Sequence, residues 1–443
     1  MKKIFKIIAF MSFAATAIAQ TPLTLQDAIQ IGIENSKTLK ISELNVDMAQ
    51  EKSSEVNANR WASLAFKGGY TRLSTIPSFL VTIPANTIFP GSPEESFPFY
   101  QNVYNYYNLQ LQLVQPIFTG MQLENSAKAA EWTAQASTYD SKADESNLKV
   151  QIATAYWNFY NALQAKEFTQ ENLERANLHY KQAEDMMTQG MLTQSDVLSA
   201  KVQVSNSQLQ LLDAENKVRL AAVNLNNVLG VPLTTEYTVS SIPQAGDTTM
   251  PQMVDLLHQA LDKRSELQSL KLKYQAADAA VAAAWGAYLP QILVVGDYYY
   301  QRPNQRIQPP IDAFKDTWDA GIQISLPIWN WGQTGSKVDE ARAQREQADW
   351  AERQAADNVY LDVTQSYLNF KEAKDRIAVA ETAVNDAEEN YRISDQKFKV
   401  GLVTNIDLKD VESALLQAKL NYSQALTDLE IARVNLEKAT GQL

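Results

Sequence analysis

Gly190-Met191-Leu192-Thr193-Gln194-Ser195-Asp196 is written a second time, 211 positions later, as Gly401-Leu402-Val403-Thr404-Asn405-Ile406-Asp407. The same offset of 211 carries Tyr156-Trp157-Asn158-Phe159 onto Tyr367-Leu368-Asn369-Phe370, and Gly230 onto Gly441. A repeat of this length makes each half one structural unit, so it governs every local reading. Upstream, Leu25 through Leu39 aligns with Met253 through Leu267, and Gly68-Gly69-Tyr70 with Gly296-Asp297-Tyr298, at an offset of 228. The 17 residues by which 228 exceeds 211 fall between Tyr70 and Pro116. Pro77, Ser78, Pro84, Pro90, Gly91, Pro93 and Pro98 give that stretch the composition of a loop. Exposed hairpin loops tolerate such insertions.

Each half reads as helix, strand, loop, strand, very long helix, tight turn and long helix. In the first half the pattern predicts helix over about 24–60, strands near 62–72 and 106–116, and helices over about 121–188 and 194–229. The expected organisation is a first repeat over 20–230, a linker or equatorial region over 231–251 with Pro232, Pro243, Gly246 and Pro251, and a second repeat over 252–443. From Met121 to Met187 there is neither proline nor glycine, and at about 1.5 Å per residue such a helix runs roughly 100 Å. Ile152, Tyr156, Phe159, Tyr160 and Leu163, matched by Val363, Tyr367 and Phe370, follow three-four spacing. That spacing describes a helix packed laterally on other helices with one wet side. A periplasmic coiled-coil rod has the same periodicity but gives no reason for hairpins at equivalent points. At each turn the glycine stops one helix and the threonine stands at the N-cap of the next, with an acid three residues on. Asp196 and Asp407 therefore have a capping role; Asp410, whose counterpart is Ser199, does not.

The strands alternate. Leu109, Leu111 and Leu113 interleave with Gln110 and Gln112 up to Pro116, and Ala320, Ile322, Ile324 and Leu326 with Gly321, Gln323 and Ser325 up to Pro327. Phe66, Tyr70, Tyr104, Tyr106, Tyr107, Phe118, Tyr298, Tyr299, Tyr300, Trp318, Trp329 and Trp331 would supply aromatic girdles at the rims of a membrane barrel. A soluble sheet packed on helices accounts for the same alternation. Two hairpins give only four strands, whereas transmembrane barrels begin at about 8, so a barrel would need several protomers.

Lys2, Lys3 and Lys6 precede an apolar run from Ile7 to Ala15 and then Ala17-Ile18-Ala19, the layout of a cleavable export signal over 1–19 with the mature chain starting at Gln20. The run is shorter than the roughly 20 residues of a bilayer-spanning helix, and no later stretch is long and uninterrupted enough. Any membrane-spanning part is then a barrel. The formal charge is −12 and becomes −15 without those three lysines, a balance unsuited to nucleic acid. With no cysteine, disulfides, thiolate metal sites and an acylated N-terminal Cys are excluded. The two histidines, His179 and His258, stand on expected helices far from any nucleophile motif or metal-spaced partner and read as surface or interhelical side chains. No catalytic, metal or cofactor site is expected, which leaves a secreted hydrolase without support.

The mature chain resembles the outer-membrane efflux protein family typified by TolC, in its duplicated halves, paired hairpins and Gly-centred tips. Val400-Gly401-Leu402-Val403-Thr404 with Asp407-Leu408 is similar to that family's second tip, and its Val-Gly-Leu form to members serving resistance-nodulation-division pumps. The resemblance implies a mainly α protomer with a small β part, trimerising into a 12-stranded β-barrel continued by an α-helical tunnel. It also implies an outer-membrane location with a periplasmic extension, and docking to a periplasmic adaptor and an inner-membrane pump. By the same resemblance, acidic side chains narrow the entrance at Asp407 and Asp410, with Asp196 in the first tip. Gly190, Leu192, Thr193, Gly401, Leu402 and Thr404 would meet the adaptor. Where the type member ties its entrance shut with a Tyr and an Arg, this chain has Phe398 and Val403, so that bond network is not expected here. The competing reading is a periplasmic coiled-coil adaptor or scaffold, which would lack alternating strands at duplicated positions.

Overall fold

The computed structural model describes residues 21–74, 77–99, 102–243 and 252–443. The expected signal at 1–19 and residues 244–251 of the expected linker lie outside them. The first half runs β1 (Thr21–Leu23), α1 (Leu25–Asn35), α2 (Lys37–Ala58), β2 (Ser63–Arg72), β3 (Leu80–Ile83), β4 (Glu95–Pro98), β5 (Asn105–Thr119), α3 (Gln122–Thr188) and α4 (Gln194–Leu229). After β6 (Tyr237–Val239) come α5 (Met253–Lys263), α6 (Ser265–Trp285), β7 (Gln291–Arg302), β8 (Lys315–Ser325), α7 (Gln333–Lys399) and α8 (Asn405–Ala439). The expected helices and four main strands are all present, and α3 and α7 are 67 residues each.

The chain divides into two compact units, Met1–Glu43 with Asp140–Leu267 and Ala355–Leu443, and Leu44–Tyr139 with Gln268–Gln354. In the second of these, β2, β5, β7 and β8 form one antiparallel sheet in that order. The register aligns Phe66, Leu111, Tyr298 and Trp318 in one row across all four strands, and Ala65, Gln112, Asp297 and Asp319 in the next. Because side chains alternate across a pleat, one face is apolar and the other polar. The apolar face lies open, with Phe66 70%, Trp318 74% and Ile322 70% exposed. On the polar face, Lys67 Nζ donates to Gln112 Oε1 at 3.0 Å, and Gln110 Nε2 to Asp297 Oδ1 at 2.7 Å. The terminal strands β2 and β8 each have one neighbour among the described residues.

Three readings need correction. The Pro-rich stretch between Tyr70 and Pro116 is not all loop, since β3 and β4 pair antiparallel within it, joined by Thr82 and Ser96 hydroxyls 2.7 Å apart. The second strand does not stop at Pro116. It continues to Thr119 through a register shift, because the pairing with β2 ends at Val114 and no donor is required of the proline. The helix expected over 24–60 is two helices, broken at Ser36, whose hydroxyl accepts from Leu39 N at 3.1 Å.

In the other unit, each half encloses its own core: Ala28, Leu39, Ile152, Tyr156, Phe159, Leu225 and Leu229 in the first, and Leu256, Leu267, Val363, Phe370, Leu429 and Leu436 in the second. The break at Ser36 recurs 228 positions on at Arg264, which binds Glu266 and Asp362. Both breaks meet the glycine that closes their half. A Cβ on Gly230, at φ +71, would lie 2.7 Å from Asn35 O, and one on Gly441, also at φ +71, 3.0 Å from the Lys263 carbonyl carbon. The helix therefore breaks where the chain's return leaves no room for a side chain. β1 pairs in parallel with β6, and the Tyr156 hydroxyl, itself buried, donates to Leu23 O at 2.9 Å and accepts from Ser241 N at 3.1 Å.

Candidate entrance at the helix tips

Both tips are built by the same local chemistry. Gly190 (φ +76) and Gly401 (φ +74) take the left-handed conformation that ends a helix without a Cβ clash. Met191 N donates to Met186 O and Leu402 N to Lys397 O, each at 2.9 Å, closing α3 and α7 with the same wrap-back bond. Thr193 and Thr404 then cap the next helix. Their hydroxyls accept from Asp196 N at 3.3 Å and Asp407 N at 3.2 Å, while both acids accept from the threonine N–H at 2.9 Å and from the hydroxyl at 2.7 Å. These side-chain and backbone donors hold both carboxyls below the ordinary aspartate value.

The two tips lie side by side. Asn405 Nδ2 donates to Asp196 O at 3.2 Å, and Met186, Phe398 and Leu408 form one small core against which Leu192 and Val403 pack. Phe398 is buried in that core. Gly190, Thr193, Gly401, Leu402 and Thr404 are exposed, and Leu192 is half-buried. Asp407 and Asp410 are exposed one turn apart on α8, and Asp196 is half-buried. The geometry thus gathers the six tip residues and three acids at one end of four helices, with the Asp196 and Asp407 carboxylates already engaged in caps.

A cluster that the sequence did not single out lies behind the tips. His179 on α3 and Glu412 on α8, 6% and 3% exposed, face each other with Nε2 and Oε1 3.0 Å apart. The contact has the distance of an ion pair but not a hydrogen bond's alignment, and Glu412 Oε1 has no hydrogen-bond partner. Tyr391 OH on α7 is 3.3 Å from Nε2, and Gln182 Oε1 is 3.2 Å from Nδ1. Burial, then Glu412 and Asp395, pushes the Tyr391 hydroxyl up to about 12. Arg175 lies 5.7 Å from the Tyr391 ring centroid and buries Nε and Nη2 without partners. The sequence places His179 on a helix, but its partner is 233 residues away and no spacing rule connects them. His258 is exposed.

The outer membrane efflux protein family matches residues 28–231 and 256–442. Outer membrane efflux protein BepC of Brucella suis biovar 1 is 24% identical over 336 residues, covering 75% of this chain and 72% of that protein. Outer membrane protein TolC of Escherichia coli K12 is 24% identical over 455 residues, covering 100% and 87%. The Campylobacter jejuni CmeC outer membrane channel superposes with a TM-score of 0.79 at 16% identity, over 100% of this chain and 94% of that one.

Proposed function

The chain belongs to the outer membrane efflux protein family, and from that premise we propose how it works. It is an outer-membrane efflux channel with a periplasmic helical part, in a family of passive channels rather than enzymes. After removal of residues 1–19, three copies, each with repeats over 20–230 and 252–443, pool their sheets into one 12-stranded barrel in outer-membrane lipid. The tips dock a periplasmic adaptor through Gly190, Leu192, Thr193, Gly401, Leu402 and Thr404, and an inner-membrane pump supplies energy and choice of cargo. The channel itself carries no catalytic, metal or cofactor chemistry.

One observation carries this reading: a four-stranded sheet ends, among the described residues, in two strands each open along one edge, and it leaves an apolar face bare. Exposed edges and large apolar patches both demand partners. Sister sheets at the edges and lipid on the face satisfy both at once. The adaptor or scaffold alternative has no use for such a sheet and is set aside.

Three copies of Asp407 and Asp410, with Asp196 beside them, ring the entrance, where like charges at short range favour cations. Detergent extracts of outer membrane should give a heat-modifiable trimer, and reconstituted trimer a cation-selective pore. Asp407→Asn with Asp410→Asn should lower that selectivity and the block by divalent cations. A water-soluble monomer would refute the channel, and unchanged selectivity would refute the ring.

A further inference from the structure

We propose that His179 and Glu412 form a proton-operated latch that positions α8 against α3 behind the entrance, so that the channel's closed state tightens as pH falls through the histidine range. The inference rests on the channel reading and adds a regulation to the same site. Both groups are buried, on helices from different halves of the duplication, so their contact ties one hairpin to the other. The duplication does not demand them. Their counterparts at an offset of 211 are Asn390 and Lys201, both exposed.

The two protonation states use different partners. Nδ1 faces the Gln182 amide oxygen, and Nε2 lies 3.0 Å from the Glu412 carboxyl and 3.3 Å from the Tyr391 hydroxyl, so a doubly protonated ring sets its charge against Glu412, whereas a neutral ring offers Nε2 as an acceptor to the hydroxyl and gives up that pairing. The charged and titratable groups around it are Glu412 from α8, Tyr391 and Asp395 from α7, and Arg175 with Glu171 from α3. Tyr391 stays neutral throughout the histidine range. Histidine is the side chain whose charge changes between about pH 5 and 8. When the ring loses its second proton, the buried contact loses the positive charge that faced Glu412 across the two helices, a cost that separating the helices relieves by admitting water. The misalignment of the pair and the unpartnered nitrogens of Arg175 keep the latched state from being fully satisfied. A proton's worth of charge is then enough to tip it.

The test is single-channel recording of the reconstituted full-length trimer between pH 5 and 8. Wild type should show open-state occupancy rising about tenfold across that range, as expected for loss of one charge-assisted contact. His179→Gln and Glu412→Gln should each flatten the profile, while His258→Gln, at the exposed histidine, should leave it in place. A flat wild-type profile overturns the latch whatever the variants do, and so does a His179→Gln trimer that keeps the wild-type pH dependence. Absence of any pore at every pH would instead count against the channel reading.

Discussion

Leu111→Arg and Gln112→Arg place the same side chain on adjacent residues of β5, and the fold assigns them opposite fates. Leu111 stands in the row Phe66, Leu111, Tyr298, Trp318, and Gln112 in the row Ala65, Gln112, Asp297, Asp319. Leu111 is six residues into a 15-residue strand, about 20 Å along it at ~3.4 Å per residue and about 14 Å along the membrane normal at a tilt near 45°. That is close to the middle of an apolar band about 25 Å tall. Arginine facing lipid at that depth costs ~2–4 kcal/mol, or about 6–12 kcal/mol for three copies. Arginine at 112 gives up the Lys67 bond and gains the Asp297 charge directly opposite, an exchange near zero on the same scale. The yield of heat-modifiable trimer in outer-membrane extracts should therefore collapse for Leu111→Arg and hold for Gln112→Arg. Equal yields, or the reverse order, would show that the assignment of lipid and water faces is wrong.

Tyr156→Phe removes the hydroxyl that joins Leu23 and Ser241, which should cost about 1–3 kcal/mol and appear as faster hydrogen exchange at the Ser241 amide; unchanged exchange would contradict the bond. Gly120→Ala would put a Cβ 2.2 Å from Gly286 O at φ +64, costing ~2–4 kcal/mol through backbone strain and overpacking and lowering trimer yield. Gly91→Ala, at φ +93 in open space, should cost only about 1–2 kcal/mol and serves as the comparison. The Asp196 and Asp407 carboxyls lie below the ordinary aspartate value because Thr193 and Thr404 donate to them. Their capping contribution is complete above that value and is lost as pH falls through the lowered ones, so a spin label at Ile406 should gain mobility below about pH 4 and show a weaker acid transition in Thr404→Val, which keeps only the backbone donor.

The repeat, the length of α3 and α7, the tip chemistry and the two-faced strands were legible because each rests on near neighbours: a glycine beside a threonine, a leucine two residues from another. What escaped depends on contacts across the chain. The Ser36 break carries no proline or glycine and lies where Gly230 returns to the same place nearly 200 residues later. Pro116 correctly signals a position that donates nothing, but only the early end of the β2 pairing shows that the strand can continue through it. The short β3–β4 pair sits among prolines that argue against any strand, and its pairing is visible only once both segments are placed.

Comparing the halves separates what geometry requires from what it permits. Gly32 and Ile152 touch so closely that a Cβ on Gly32 would sit 2.3 Å from Ile152 Cδ1; their counterparts are Ala260 and Val363, with the methyl moved from one side of the contact to the other. The volume is kept and the residues are not, as close packing demands. The left-handed glycines and the Thr-Asp caps are retained in kind because no other pairing closes those turns so well. Against this, Arg175, His179 and Glu412 answer to Asp386, Asn390 and Lys201, an acid, an amide and a base, each of them exposed. Packing cannot account for a buried histidine and glutamate beside a half-buried arginine at one of two equivalent places, since apolar side chains of similar size would fill the space at lower desolvation cost. A switchable charge between the two hairpins is what that burial offers in return, so exchanging His179 and Glu412 for leucine and methionine should yield a trimer at least as heat-stable as wild type whose gating no longer follows pH.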